Sequence, residues 1–216
     1  MRKYLPVGTR ERLGGFLFLG LVLGSVGIGC GMFDIRPPTP PPGVGSGPPH
    51  ASPVDPESVL YNFTQAIRYQ TDGLQQYDGT LAESFHLVLD QEDVRDIGIA
   101  GLDSLSKPRD IDAQRLRCQE SSSDSFYFAF GNATPIKEGQ TAYYLDIPYE
   151  LRILVHQGDS LVVTQTIKGT SDVFLAQGLA SNWAITRWVD QRENPFTSLG
   201  RWHAEKVGAG QAPRIP

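Results

Sequence analysis

From Leu145 to His156 the chain alternates between two sets of side chains, and this alternation constrains its fold more than any other feature. Leu145, Ile147, Tyr149, Leu151, Ile153 and Val155 interleave with Asp146, Pro148, Glu150, Arg152, Leu154 and His156. Successive side chains on a strand point to opposite faces, so the run predicts a long strand with one face buried and the other largely wet. That is the habit of an antiparallel sheet covered on one side. Gly158-Asp159 then predicts a hairpin, with a return strand from Ser160 to about Phe174. Phe126, Phe128 and Phe130 alternate with Tyr127 and Ala129 and predict another strand. A further strand carries Trp183, Ile185 and, beyond a twist or bulge, Trp188.

Ahead of these strands the period changes. Asp55 or Ser52 is placed to cap a helix with Pro56 in its first turn, and Val59, Leu60, Phe63, Ile67 and Leu74 follow at helical spacing. Gly73 interrupts this helix, and a shorter helical piece holding Leu74, Tyr77 and Leu81 follows before a strand from Ser84 to Asp90. Residues 91 to 110, with Gly98 and Gly101, give no clear element. The fold class expected is α+β, with helices first and a curved antiparallel sheet after them.

The first 30 residues read differently. Arg2, Lys3, Arg10 and Arg12 precede an apolar run from Phe16 to Ile28, and Gly29-Cys30 closes it, which is the outline of a bacterial lipoprotein signal. The run is too short for a membrane span of about 20 apolar residues. Cleavage before Cys30 and acylation of its thiol are therefore expected, which places the chain outside the cytoplasm on a membrane. Gly31 stands where an Asp often signals inner-membrane retention, so the lean is to the outer membrane. Residue 27, three before the cysteine, is Gly rather than the usual Leu. Removing Arg2, Lys3, Arg10, Arg12 and Glu11 leaves 15 basic and 23 acidic side chains, a net charge of −8. A chain so acidic is repelled by phosphate backbones, and no nucleic-acid partner is expected.

Between Pro37 and Pro56 nine prolines alternate with glycine and small residues, a semi-rigid tether at about 3.1 Å per residue. The expected organisation is a signal at 1–29, a lipidated Cys30 and tether at 30–53, one domain at 54–206, and a disordered tail at 207–216.

The opening Pro56-Glu57-Ser58-Val59-Leu60, the passage from Tyr77 to Phe85, and the ending Trp183-Ala184-Ile185-Thr186-Arg187-Trp188-Val189-Asp190 followed by Gly200-Arg201-Trp202 resemble bacterial lipoproteins with a nuclear transport factor 2-like domain. The resemblance covers about residues 54 to 206. It implies a cone in which N-terminal helices pack in the concave face of the curved sheet, with a pocket between them. Ketosteroid isomerase-like relatives move protons in that pocket with acidic or histidine side chains. No isomerase Tyr or Asp aligns residue by residue onto this chain, so no catalytic role is transferred. Relatives often dimerise through the sheet's exposed face, which makes a homodimer an expectation.

The chemistry visible along the chain is sparse. His86, between Phe85 and Leu87, is a candidate general base if it shares a pocket with Asp90, though a surface-facing histidine is the plainer reading. His156 falls on the polar face with Arg152 and Glu150, His50 in the tether, and His203 near the end of the fold. No His-x-His, His-x-x-x-His or Cys-x-x-Cys occurs, so no metal and no cofactor is expected. Cys118, beside Arg117 on an expected strand, reads as a small core residue, and the Asn62-Phe63-Thr64 sequon as chance. Tyr149, Trp183 and Trp188, with the Phe126 to Phe130 face, either line an apolar ligand pocket or fill the core. Asp190 is expected to accept a hydrogen bond from Arg187 or Arg192.

These readings favour a membrane-anchored domain that binds a small apolar ligand or a partner protein without catalysis. The alternatives are a proton-transferring isomerase, dehydratase or cyclase using His86 and Asp90, and a purely structural envelope protein.

Overall fold

A computed structural model describes residues 47–98, 102–120, 125–158 and 160–209. Cys30 and most of the proline tether lie outside the described residues, as do Asp159 and the end of the tail.

Helix α1, Pro56–Arg68, starts where its sequence signals it. The Asp55 side chain accepts from Ser58 N at 2.7 Å, Pro56 and Glu57 fill the first turn, and Arg68 sits in the last. Val59, Phe63, Ala66 and Ile67 form the buried stripe. A 3₁₀ turn, Gln70–Gly73, separates α1 from α2, Leu74–Thr80. Only glycine fits at 73, because a Cβ there would lie 2.0 Å from the carbonyl oxygen of Ala66. Strand β1 begins at Leu81, three residues before the expected start, and runs to Val88.

The region that gave no clear element holds α3, Gln91–Ile97, and β2, Ser104–Ser106, and then opens α4, Lys107–Glu120. Asp90 caps α3 and Gly98, at φ +66°, ends it. Cys118 is thus on a helix and not on a strand. The buried face of α4 carries no apolar period: Lys107, Asp110, Gln114 and Cys118 recur at helical spacing, but they are mostly polar.

The remaining strands are β3 (Ser125–Phe130), β4 (Ile136–Glu138), β5 (Thr141–Gln157), β6 (Ser160–Gln177) and β7 (Trp183–Arg192), followed by helix α5, Leu199–Ala209. The sheet order is β2-β1-β7-β6-β5-β3, with β4 on β5. Every pair is antiparallel except β1 with β7, which is parallel. The fold is α+β, with α1 and α2 packed against a strongly curved sheet in a cone-like arrangement.

Bulges supply the curvature. Between Tyr144 and Ile147 β5 carries one extra residue opposite Val173 and Ser171, with Asp146 at φ +51° and its amide on the Asp172 carboxylate. The bulge shifts the inward phase, so Ala142, Tyr144, Ile147 and Tyr149 are buried while Leu145, expected inside, is 49% exposed. A second bulge falls at Thr186 on β7, between Ile185 and Trp188, where the sequence suggests one. Gly158, at φ +62°, closes the β5–β6 hairpin next to the Gln157–Ser160 pair.

The end of the proline-rich stretch is held on the domain. Asn62, buried on α1, accepts from Ala51 N at 2.8 Å and donates to Ala51 O at 2.7 Å, which leaves its amide committed to the fold. Gln76 donates to Pro49 O, and Trp183 N to Pro53 O. At the other end α5 continues to Ala209, into the segment read from sequence as tail.

Candidate functional site

The interior of the cone is occupied by aromatic rings. Phe63 on α1 lies 5.2 Å from Trp188 and 5.1 Å from Tyr77 between ring centroids, and Phe128 and Phe130 close the group from β3. Tyr149 packs edge-on to Trp188. Of the pocket candidates, Tyr149, Trp183 and Trp188 are all buried, with Tyr149 and Trp188 in one aromatic cluster. This is the core arrangement.

Two polar constellations are enclosed with them. In the first, Tyr149 donates to Asp190 Oδ1 at 2.5 Å while accepting from Leu199 N at 2.9 Å, and Asp190 Oδ2 accepts from Gly200 N at 2.6 Å. The pair ties β5 and β7 to the first turn of α5. Burial pushes the Asp190 carboxyl above its usual range, and burial next to this carboxylate pushes the Tyr149 phenol well up. Neither expected arginine partners Asp190. Arg192 bonds Glu92, Asp93 and Asp96 of α3, and Arg187 lies over the Phe174 ring at 5.6 Å.

The second constellation joins α2, α4 and α5. Asp110 accepts from the Tyr77 hydroxyl at 2.6 Å and faces His203 Nδ1 at 2.6 Å; His203 Nε2 faces Gln114 Oε1 at 3.0 Å. Gln114 Nε2 reaches Cys118 Sγ at 3.5 Å. All five side chains are buried. Burial, reinforced by Asp110, raises the Tyr77 phenol well above its ordinary value, and burial pushes the Cys118 thiol up to about 12, which makes it a poor nucleophile. Sequence reasoning placed His203 near the end of the fold and did not find this group. The signal available was the helical spacing of Asp110, Gln114 and Cys118.

A space open to a ligand lies elsewhere, in a cleft of about 420 Å³ between α1 and the β3–β5 rim. Leu60, Ala129, Phe130 and Ile147 give it apolar walls, and Glu57, Thr64, Gln65 and Arg68 line it from α1. Glu57 pairs with Lys137 at 3.2 Å. Arg68 Nε donates to Phe128 O at 2.9 Å, with its guanidinium over the Tyr127 ring. Tyr144 also lines the cleft; its side chain is buried and its hydroxyl has no hydrogen-bond partner among the described residues. Burial, with Glu57 and Asp55 nearby, raises its pKa. A buried hydroxyl without a partner is costly, and a bound group offering a donor or acceptor would relieve it. None of the members of the two enclosed constellations lines this cleft.

The histidine candidates fall outside it as well. His86 is exposed on β1, and Asp90 is half-buried with its carboxylate accepting from Glu92 N and Asp93 N as the cap of α3. The two are not brought together in a pocket. His156 is exposed on β5, and His50 is exposed. Among the described residues no group of three or more His, Cys, Asp or Glu side chains is arranged to hold a metal ion.

No family model matches this chain, and no curated protein matches it. Solved structures similar to it include a nuclear transport factor 2-like protein with a cystatin-like fold from Novosphingobium aromaticivorans. That protein is 11% identical, with 63% of this chain and 79% of its own covered and a TM-score of 0.42. A protein with a cystatin-like fold from Nostoc punctiforme is 8% identical, with 65% of this chain and 90% of its own covered and a TM-score of 0.44. A conserved protein from Planctomyces limnophilus is 12% identical, with 62% and 89% covered and a TM-score of 0.43. The likeness is one of fold, and no activity passes across it.

Proposed function

We propose that this chain is a lipid-anchored envelope protein whose folded domain holds a small, largely apolar molecule in the cleft between α1 and the β3–β5 rim, without turning it over. The observation that carries the reading is the cleft itself, with apolar walls and the buried Tyr144 hydroxyl that finds no partner among the described residues. Ligand sites are typically apolar concavities with a few placed polar groups. Support for binding over catalysis comes from the proton-bearing combinations, Tyr149 with Asp190 and Tyr77 with Asp110 and His203, whose polar atoms are engaged with one another inside the core.

The anchor is the acylated Cys30, with the outer membrane as the proposed location. Metabolic labelling with a palmitate analogue tests it. Label is expected on the wild-type chain and absent from Cys30→Ala, and equal label on both overturns the anchor.

Native mass spectrometry of the lipoprotein taken from a bacterial envelope tests the cleft. A mass excess that is lost on denaturation, and reduced in Phe130→Glu, is expected. Bare protein from every preparation overturns ligand binding and leaves the purely structural role, which the filled cone interior would then favour.

A further inference from the structure

The far end of the β5–β6 hairpin is an open sheet edge. β6 pairs with β7 only from Gly169 onward, and Ile167 meets Thr197 in an isolated bridge, so among the described residues Ser160–Thr166 has β5 on one side and no strand on the other. In an antiparallel pair every second residue turns its N–H and C=O away from the partner strand, so this edge presents unused backbone donors and acceptors. Its side chains are equally uncovered: Leu161 is 43% exposed, Val162 36% and Val163 45%.

Natural sheets blunt such edges with charge or proline. Here Ser160-Leu161-Val162-Val163-Thr164-Gln165-Thr166 has neither. The chain carries a net charge of −5, so two copies repel over most of their surfaces, and this β-branched segment is a place where they do not. The backbone edge demands a strand as its occupant, and the segment complements itself. Antiparallel pairing about a two-fold axis through Val162 sets Leu161 of each copy opposite Val163 of the other and Ser160 opposite Thr164, apolar on apolar and polar on polar. The bulge at Thr164, where β6 carries one extra residue against β5, ends the regular edge and limits the pairing to Ser160–Thr164.

We infer that this edge is a homodimer contact in which Ser160–Thr164 of two copies pair antiparallel and join two hairpins into one four-stranded ribbon. The contact is small, well below the roughly 800 Å² per partner of a standard interface, so the dimer is expected to be weak and favoured by crowding on a surface.

Two differently tagged full-length copies, expressed together in a bacterial envelope, test it. Directly opposed residues in such a pair lie about 4.5–5.5 Å apart at Cα, within disulfide reach. Val162→Cys in both copies should give a mixed-tag disulfide dimer under mild oxidation, and Lys137→Cys on exposed β4 should not. Copies both carrying Val162→Lys should lose co-purification at least fivefold relative to wild type, and a Val162→Lys copy with a Val162→Glu copy should regain it. No disulfide dimer at 162, equal dimer at 137, or no recovery in the charge-exchanged pair overturns the inference. Unchanged melting of the charge variants shows that the domain remains folded. Ligand loss from the cleft would leave all these outcomes as they are, so the two readings fail separately.

Discussion

Tyr149 and Asp190 stand 41 residues apart, and the phenol of one donates to the carboxylate of the other at 2.5 Å while each also receives an amide from the start of α5. The sheet thus supplies acceptors for two of the first amides of α5, beside the Ser198 hydroxyl, which accepts from Arg201 N at 3.1 Å. Tyr149→Phe removes one donor from Asp190 and strands the buried Leu199 amide. A loss of about 1–3 kcal/mol is expected from such an unsatisfied group, to be read from the urea midpoint at unchanged slope.

Two glycines make room for that pair. A Cβ at Gly169 would lie 2.5 Å from the Tyr149 hydroxyl and 2.4 Å from Gln191 O, and one at Gly200 would lie 2.7 Å from Asp190 Oδ2. Gly169→Ala and Gly200→Ala should each destabilise by about 1–3 kcal/mol through overpacking. Gly79, on α2, has nothing within 4 Å of its Cβ position, and Gly79→Ala should stabilise by up to about 1 kcal/mol. Thermal melts of the three variants side by side check the opposite signs.

Asp110 holds both the Tyr77 hydroxyl and His203 in a place sealed from water. Asp110→Ala leaves a buried imidazole and a buried phenol without their shared acceptor. The expected cost is about 1–3 kcal/mol for each of the two groups left unsatisfied. Denaturant unfolding compared with surface Asp112→Ala, which is expected to change stability by less than about 0.5 kcal/mol, separates the effect from a general loss of acidic charge.

Alkaline pH should weaken the fold through the same two tyrosines. Tyr77 and Tyr149 have folded-state pKa values raised well above 10.0, so above that pH the unfolded chain loses these protons first and the native state binds more of them. The stability they contribute is complete below pH 10 and falls as pH rises above it, by at most about 1.4 kcal/mol per pH unit for each. Urea midpoints between pH 9 and 11.5 should slope downward, and Tyr77→Phe should flatten the slope. An unchanged slope in that variant would refute the assignment.

The elements legible from sequence are those whose reasons are local. The Asp55 cap and the stripe from Val59 to Ile67 belong to neighbours within a helical turn or two, and the β5 alternation ahead of Gly158 is similarly self-contained. Helix α4 was not legible, because apolar periodicity is blind to a buried face made of Lys107, Asp110, Gln114 and Cys118. Leu145 faces outward where the alternation predicts it inside, because a bulge adds one residue and reverses the phase of a period-two pattern, and nothing in the apolar spacing marks where it falls. Asp190 takes its partners from β5 and α5 rather than from the arginines close to it in sequence.

The sequence by itself determined the α+β order, the first helix with its cap, the hairpin turn and the alternating face of β5, since each depends on groups only a few residues apart. Which ionisable side chains meet, and whether an aromatic lines a pocket or fills a core, was decided by the tertiary structure alone. His203 reaches Asp110 across 93 residues, and Trp188 meets Phe63 because a curved sheet wraps a helix. Such pairings depend on distances through space and on the exclusion of water, which arise only once the sheet closes over the helices.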